Sequence, residues 1–452
     1  MTQDALPAIP SSWIWAEVGD LLSGIEAGYS FKCEERPPEN AEVGVVKVSA
    51  VTWGEFDEDA SKTCLSSDRV DPKLFIRPGD FLFSRANTIQ LVGACVIVHR
   101  ISRRLMLSDK ILRLRFHTVV PQWLLYVLRT SWGRAEIERL ATGNQESMRN
   151  IGQDRIRAIR IPVPPLAEQR RIVEDIEKQF TRLEAAVAAL QRAKANLKAC
   201  RTSATEAAFA SHSAAPIRHL GDLGEIVGGL TKGQRRKAGT RTRPVPYLRV
   251  ANVQRGRLDL ETIKLIEATE EEIRTLQLIP GDVLLNEGGD RDKLGRGWIW
   301  EGQISECIHQ NHVFRVRLDP GLATPRFVSH YANHFGQKYF FKEGRQTTNL
   351  ASINMTNLRA LPIPLPPVSD QEKVIADLED HLSMIDNLDH SVDANLRRAT
   401  ALRQVILNKA FEGKLLPQDP NDEPASLLLE RIQAAHAKAP ARRAARKREV
   451  HA

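Results

Sequence analysis

Apolar positions along this chain follow two rhythms, and each rhythm occurs twice. The first is helical. Apolar residues fall at Ile172, Ile176, Phe180, Leu183, Val187, Leu190, Ala193 or Lys194, and Leu197. Spacing of four and three held over several heptads predicts a long helix with a coiled-coil seam. The stripe returns at Val374, Leu378, Leu382, Ile385, Val392, Leu396 and Ala399, with Asp389 interrupting it. The second rhythm has period two. Ile111-Leu112-Arg113-Leu114-Arg115-Phe116 and Val313-Phe314-Arg315-Val316-Arg317-Leu318 alternate apolar with basic residues, which predicts half-exposed strands. Runs 43–48, 81–83 and 94–98 are also β-rich, and Pro78-Gly79-Asp80 and Pro280-Gly281-Asp282 read as turns. Trp123 to Leu140 and Phe327 to Phe341 read as helices.

These pairings share one offset of 202 residues. The run Ile161-Pro162-Val163-Pro164-Pro165-Leu166-Ala167-Glu168-Gln169 returns as Ile363-Pro364-Leu365-Pro366-Pro367-Val368-Ser369-Asp370-Gln371. Val18-Gly19-Asp20-Leu21 returns as Leu220-Gly221-Asp222-Leu223, and Ala208-Phe209 as Ala410-Phe411. A single register kept over this length means a duplicated module; solenoid units are far shorter, about 20–50 residues.

The pattern therefore predicts an α+β protein with an internal pseudo-two-fold repeat: two mixed α/β domains separated by two long antiparallel coiled-coil helices. The boundaries are 1–165 for the first domain, 166–211 for a central helix, 215–367 for the second domain, 368–413 for a second helix and 414–452 for a C-terminal segment. That segment ends in a basic run, Arg442 to Arg448, which reads as disordered. Proline pairs Pro164-Pro165 and Pro366-Pro367 stiffen the entry to each helix. Ser369-x-x-Glu372 reads as a capping box for the second, whereas Ala167 leaves the first weakly capped. A helix from Glu168 to Phe209 spans roughly 60 Å, and the joint Ser211 to Pro216 reaches only about 20 Å. Domain two is thus expected at the far end of helix one, with helix two running back beside it. A plainer alternative has each helix packing only on its own domain. Apolar positions near Leu183 to Leu197 and at Leu402, Ile406 and Leu407 predict surface left over for a partner.

Composition changes this picture little. Hydrophobic content of 42% and charged content of 27% are ordinary for a globular chain. A net charge of +8 favours a polyanionic partner. Met1 to Pro10 lacks the features of a signal peptide, no apolar run approaches a membrane span, and the expected location is cytoplasmic. The five cysteines, Cys33, Cys64, Cys95, Cys200 and Cys307, are spread without a C-x-x-C pair, which suits reduced thiols and not a disulfide frame or zinc site.

Catalytic constellations are missing from the sequence. There is no P-loop, no G-x-G-x-x-G, no Asn-Pro-Pro-aromatic or Asp-Pro-Pro-Tyr methylation motif and no H-E-x-x-H. His309 and His312 lack a third ligand nearby in the sequence, and Glu270-Glu271-Glu272 reads as a solvated helix face. The chain reads as a recogniser and not a catalyst. The rival readings are a structural coiled-coil adaptor, which would show no sequence-dependent DNA binding, and an enzyme with an unrecognised motif.

Three features resemble the DNA-specificity subunit of type I restriction-modification systems. They are Leu6-Pro7 through Trp13-x-Trp15 into Val18-Gly19-Asp20, the duplicated proline runs at 162–169 and 364–371, and the segment from Ala410 through Leu415 to Asp422-Glu423-Pro424-Ala425 and Leu428-Leu429-Glu430. The resemblance covers essentially the whole chain; Asp370 stands where the family has Glu. It implies two target recognition domains, each reading one half of an asymmetric split site in double-stranded DNA. It also implies that the helices set the spacer and dock two methyltransferase subunits, with motor-endonuclease subunits joining for restriction. No cofactor is expected on this chain; S-adenosylmethionine, ATP and Mg2+ would belong to the partners, and there is no membrane partner.

Candidate DNA-binding residues lie where the two copies diverge, because Arg, Asn and Gln read base edges through paired hydrogen bonds. After the first Pro-Gly-Asp strand come Arg85, Asn87 and Thr88, matched in the second copy by Asn286 and Arg291. Before the proline runs come Asn144 and Gln145, and Arg345, Gln346 and Thr347. Lys47 and Arg249, at matched strand positions, are candidate phosphate anchors.

Overall fold

The structure, a computed structural model, describes residues 6–145, 148–233, 235–289, 294–343, 345–346 and 351–435. The chain forms two compact units, residues 1–190 with 394–452 and residues 191–393. Both divisions fall within the long helices Leu166–Ala210 and Val368–Phe411, so each unit holds one domain and about half of each helix.

In the first unit an antiparallel sheet runs in the order Leu22–Ala27, Ile111–Phe116, Phe81–Ser84, Cys95–Ile97. Its apolar face packs on helices Pro121–Leu128 and Ser131–Leu140. A second sheet has the order Cys33–Glu34, Ser61–Cys64, Val43–Val46, Arg104–Met106, the last pair being parallel. The second unit repeats the first sheet as Gly224–Gly228, Val313–Leu318, Val283–Asn286, Gly297–Ile299. Its smaller sheet has Lys264–Ala268, Arg243–Leu248 and Ile308–His309. Strand after strand keeps the sequence offset, so the repeat is a repeat of fold.

The alternating strands behave differently from a half-exposed pair. Arg113 and Arg315 are each only 2% exposed, where the alternation predicts solvent. Arg113 donates to Asp80 at 2.8 Å and to the Phe75 and Lys73 carbonyls, and pairs with Glu26. Arg115 reaches the other oxygen of Asp80 at 3.1 Å. A buried guanidinium persists only with partners on all sides, and the turn aspartate supplies one. The Pro-Gly-Asp turn is thus tied to the neighbouring strand: the Asp80 carboxylate also accepts from Arg77 N, and Asp282 from Ile279 N.

The first domain's expected helix from Trp123 to Leu140 is two helices. Thr130 caps the second, accepting from Gly133 N at 3.0 Å, and a side chain on Gly133 would collide with the Val127 carbonyl. In the second unit Pro325–Glu343 is continuous.

The long helices do both jobs that the sequence left open. Ile172, Ile176 and Phe180 are buried in the first domain's core, with Ile406, Leu407, Ala410 and Phe411 from the end of the other helix. Ile375, Leu378 and Phe209 do the same in the second unit. Each domain is therefore clamped by the start of its own helix and the end of the other. Phe411 packs on Trp123 with ring centroids 4.5 Å apart, and Phe209 on Phe327, Tyr331 and Phe335. Each such side chain stabilises its unit by about 1.5–3 kcal/mol. Between these docking stretches Leu183, Val187, Leu190, Leu197 and Ile385 are half-buried, as in a two-stranded seam. Lys194 pairs with Asp393 and Arg201 with Asp386 in the second unit, seven residues up one helix for seven down the other, so the pairing is antiparallel. Glu184 meets Arg403 at 3.4 Å in the first unit.

Two further expectations change. Ile406 and Leu407 belong to the core, while Leu402 and Val405 are exposed. The second helix begins at Val368, placing Ser369 inside its first turn, so the capping box does not form there. Gln169 and Gln371 secure the starts instead. The buried Gln169 amide accepts from Val120 N at 3.1 Å and donates to the Pro164 carbonyl at 2.9 Å. Gln371 accepts from Thr324 N at 2.9 Å and donates to the Leu322 and Pro366 carbonyls. The glutamine closing each repeated run fastens the proline joint to the loop before the domain's helix.

Candidate nucleic-acid interface

Each domain brings its two divergent stretches into one small sheet. In the first, strand Ala86–Asn87 pairs with Met148–Asn150, which pairs with Thr142–Gln145. Arg85, Asn87, Asn144 and Gln145 are therefore neighbours in the fold although some 60 residues separate the two stretches in sequence. In the second, Gly288–Gly289 and Arg345–Gln346 both pair with Ala351–Ser352. The backbones of Asn144, Gln145, Arg345 and Gln346 are placed on these strands; their side chains, with Arg291 and Thr347 entirely, lie outside the described residues.

Beside the first of these sheets lies an open cleft of about 550 Å³. Lys47, Lys62 and Lys110 line it with Asn87, Glu35 and Tyr29. Lys47 pairs with Glu35 at 3.2 Å, and Lys62 pairs with the other oxygen of the same carboxylate. Hydrogen bonds from Lys62 and then Lys47 hold the Glu35 carboxyl below the usual carboxylate range. Arg85 lies at the sheet edge, its Nε 3.4 Å from Asn150 Oδ1. The Asn87 carboxamide oxygen accepts from Thr88 N at 2.8 Å. Lys62 and Lys110 were not singled out by sequence reasoning. Lys62 carries the signal of an alternating strand, Ser61-Lys62-Thr63-Cys64; Lys110 follows Ser108-Asp109 in a loop and carries none.

The second domain departs from expectation at Asn286. It is fully buried, its amide donating to the Val250 and Val253 carbonyls at 3.2 and 2.8 Å. A side chain so enclosed ties a strand to a neighbouring loop and presents nothing to a base. Arg249 is half-buried, with Nη2 3.3 Å from the Thr262 carbonyl. His309 is buried too, with Nδ1 2.6 Å from the Val313 carbonyl, and burial drives its pKa down to about 4. Among the described residues no group of three metal-binding side chains occurs, and no helix is long and apolar enough to cross a membrane.

The chain is 25% identical over 348 residues to the type I restriction enzyme StySPI specificity subunit of Salmonella potsdam, covering 73% of this chain and 75% of that one. Against the EcoKI specificity subunit of Escherichia coli K12 it is 24% identical over 346 residues, covering 72% and 74%. No protein-family model matches. Two solved structures share the fold at 19% identity. One is the HsdS subunit from Thermoanaerobacter tengcongensis, with a TM-score of 0.57 over 92% of this chain and 100% of that one. The other comes from work on complex assembly and conformational transition of the type I R-M system, with a TM-score of 0.67 over 91% and 100%.

Over most of its length the chain is similar to type I restriction specificity subunits.

The duplicated proline runs and Arg-x-Arg strands are framework, since their side chains are spent on internal bonds. Among the differences between the two copies are the side chains of the small sheets and of the cleft beside the first.

Proposed function

We propose that this chain is the non-catalytic DNA-reading component of a type I complex, each domain reading one half of an asymmetric bipartite site. The observation that carries this reading is that both domains join the same two divergent stretches into one sheet, but fill them with different side chains. A common frame with variable polar content is what independent reading of two sequences requires. In the first domain Lys47, Lys62 and Lys110 would face phosphates, with Arg85, Asn87 and Thr88 and the 142–150 strands toward the base edges. In the second, Arg249 would anchor the backbone, with Arg291 and the stretch Arg345 to Thr347 toward the bases. Two methyltransferase subunits would dock on the helices, where Met384, Leu388, Leu402 and Val405 are exposed. Motor-endonuclease subunits would join for restriction, and S-adenosylmethionine, ATP and Mg2+ would be bound by those partners.

The helix pair would fix the number of unread base pairs between half-sites. Adding four residues near 185–189, matched by four near 398–402 to keep the antiparallel partners together, lengthens the pair by about 6 Å. At about 3.4 Å per base pair the spacer should grow by one or two base pairs with both half-sites unchanged. The methylated motif in cells carrying the variant reads this out. An active variant with its spacer unaltered would show that the helices do not measure the distance.

A further inference from the structure

Cys33 and Cys64, 31 positions apart in sequence, stand directly opposite each other on antiparallel strands Cys33–Glu34 and Ser61–Cys64. Opposed residues in such a pair have Cα atoms about 4.5–5.5 Å apart, within the range of about 4.4–6.8 Å that a disulfide spans. Each thiol lies near enough to shift the other's pKa. Both are half-exposed, whereas Cys95 and Cys307 are buried. The matched positions of the second copy hold Arg235 and Ile266, so the pair belongs to the first domain alone.

Strand Cys33–Glu34 is two residues long and lies at a sheet edge, joined only to Ser61–Cys64. The residues on either side of it, Tyr29, Ser30, Phe31 and Glu35, line the lysine-bearing cleft. Around that short pairing the segment is held by a few bonds, from Thr63 Oγ1 to the Arg36 carbonyl at 2.9 Å, from Gly28 N to the Ser108 carbonyl at 3.1 Å and from Lys47 and Lys62 to Glu35, and so few contacts leave it able to open locally.

We propose that Cys33 and Cys64 are a reversible disulfide site, oxidised by a small-molecule disulfide of the glutathione type, and that the bond fastens segment 28–42 as a wall of the cleft. The Cys33 thiolate attacks one sulfur of the small disulfide; that S–S bond breaks and one small thiolate leaves with the electron pair. The Cys64 thiolate then attacks the Cys33 sulfur of the mixed disulfide and expels the second. Two protein thiols are oxidised, the small disulfide is reduced to two thiols, and the protons shed by the cysteines end on them. Burial raises the Cys33 thiol, with Cys64 and the Lys62 charge pulling it back, while burial and Cys33 push Cys64 up to about 11. Cys33 is therefore the first attacker, and exchange is slow at neutral pH. The consequence for DNA rests on the reading of the cleft given above. With the wall fastened, Glu35 stays on Lys47 and Lys62 and keeps both ammonium groups from phosphates.

The test uses the full chain in its complex, with exposed Cys200 replaced by serine. Treatment with oxidised glutathione should yield a peptide linking Cys33 to Cys64 and slow hydrogen exchange across 28–42. Cys33→Ser and Cys64→Ser should each trap a glutathione adduct on the remaining thiol. Both thiols remaining open to alkylation, or a link that leaves exchange across 28–42 unchanged, overturns the proposal. The oxidised complex should also bind DNA severalfold more weakly than the reduced one. Equal affinity contradicts the withheld lysines, and a reduced complex without specific binding contradicts the reading of the cleft while the linked peptide still decides the disulfide.

Discussion

In the first unit the buried guanidinium of Arg113 takes Asp80 and Glu26 together; in the second the matched Arg315 leaves Asp282 to its neighbour. Arg317 forks the Asp282 carboxylate with two bonds of 2.8 Å, and Arg315 turns to the Thr275 and Gln277 carbonyls and to Glu225. Glu26 and Glu225 come from matching strands at different positions, each opposite the arginine that its register puts there: Arg113 in the first, Arg317 in the second. Burial depresses both buried arginines. Bonds from Asp80 and Glu26 reverse this for Arg113, while Arg315, beside the Arg317 charge, stays below its usual value. The repeat thus preserves a requirement, one carboxylate under the turn and cations to meet it, and not a particular pair of atoms.

Removing that carboxylate separates the units most sharply. Asp80→Ala leaves Arg113 buried with Glu26 as its one remaining carboxylate, and should cost the first unit about 3 kcal/mol or more. Asp282→Ala strands Arg317, whose side chain is 34% exposed and can turn to water, so the cost should be about 1–3 kcal/mol. Hydrogen exchange resolved by unit measures both, since one melting temperature does not describe two units. Equal losses would show that the rewiring has no energetic meaning.

The glutamines should behave alike where the arginines do not. Gln169→Leu and Gln371→Leu each remove a buried amide and leave a backbone N–H and carbonyls without partners, for about 1–3 kcal/mol in the unit concerned. A loss in one unit only would mean that the joints are built differently despite their common geometry.

A smaller contrast lies one residue earlier. Glu168 is buried, accepting from Trp13 Nε1 at 2.9 Å and Gln418 Nε2 at 2.8 Å, whereas Asp370 is partly exposed beside Lys373. Burial, with Asp422 nearby, raises the Glu168 pKa against the pull of Trp13 and Gln418. A carboxyl raised on folding stabilises fully below its unfolded value, near the usual 4.5, and loses that contribution as pH rises through the folded value. Wild type should therefore lose stability relative to Glu168→Gln between pH 4.5 and neutrality, by about 1 kcal/mol per unit of pKa elevation. A pH-independent difference at Glu168 would contradict the assigned cause.

Much of this was legible in the sequence because it is periodic. The long helices, the strands at 81–84 and 111–116 and their copies follow from spacing and offset alone. The placement of single polar side chains did not follow, because burial depends on what crosses over them. Arg113 alternates like a surface residue yet lies beneath the turn that holds Asp80, and Asn286 reads like a base-reading asparagine yet is enclosed by two carbonyls. Ser369 looks like a cap, but the helix starts at Val368 and Gln371 serves the joint. Cys33 and Cys64 meet only through strand pairing, which their spacing does not encode. The divergent stretches are polar in the sequence, but their union in one sheet is a tertiary fact.

The proposed function requires that the two domains read DNA independently on one frame. Its most direct test replaces residues 12–160 with the matching region of a relative and reads the methylated motif by methylation-aware sequencing of cells carrying the chimera. One half of the bipartite site should change while the other half and the spacer stay as they were. A motif changed in both halves, or unchanged in an active chimera, would contradict it.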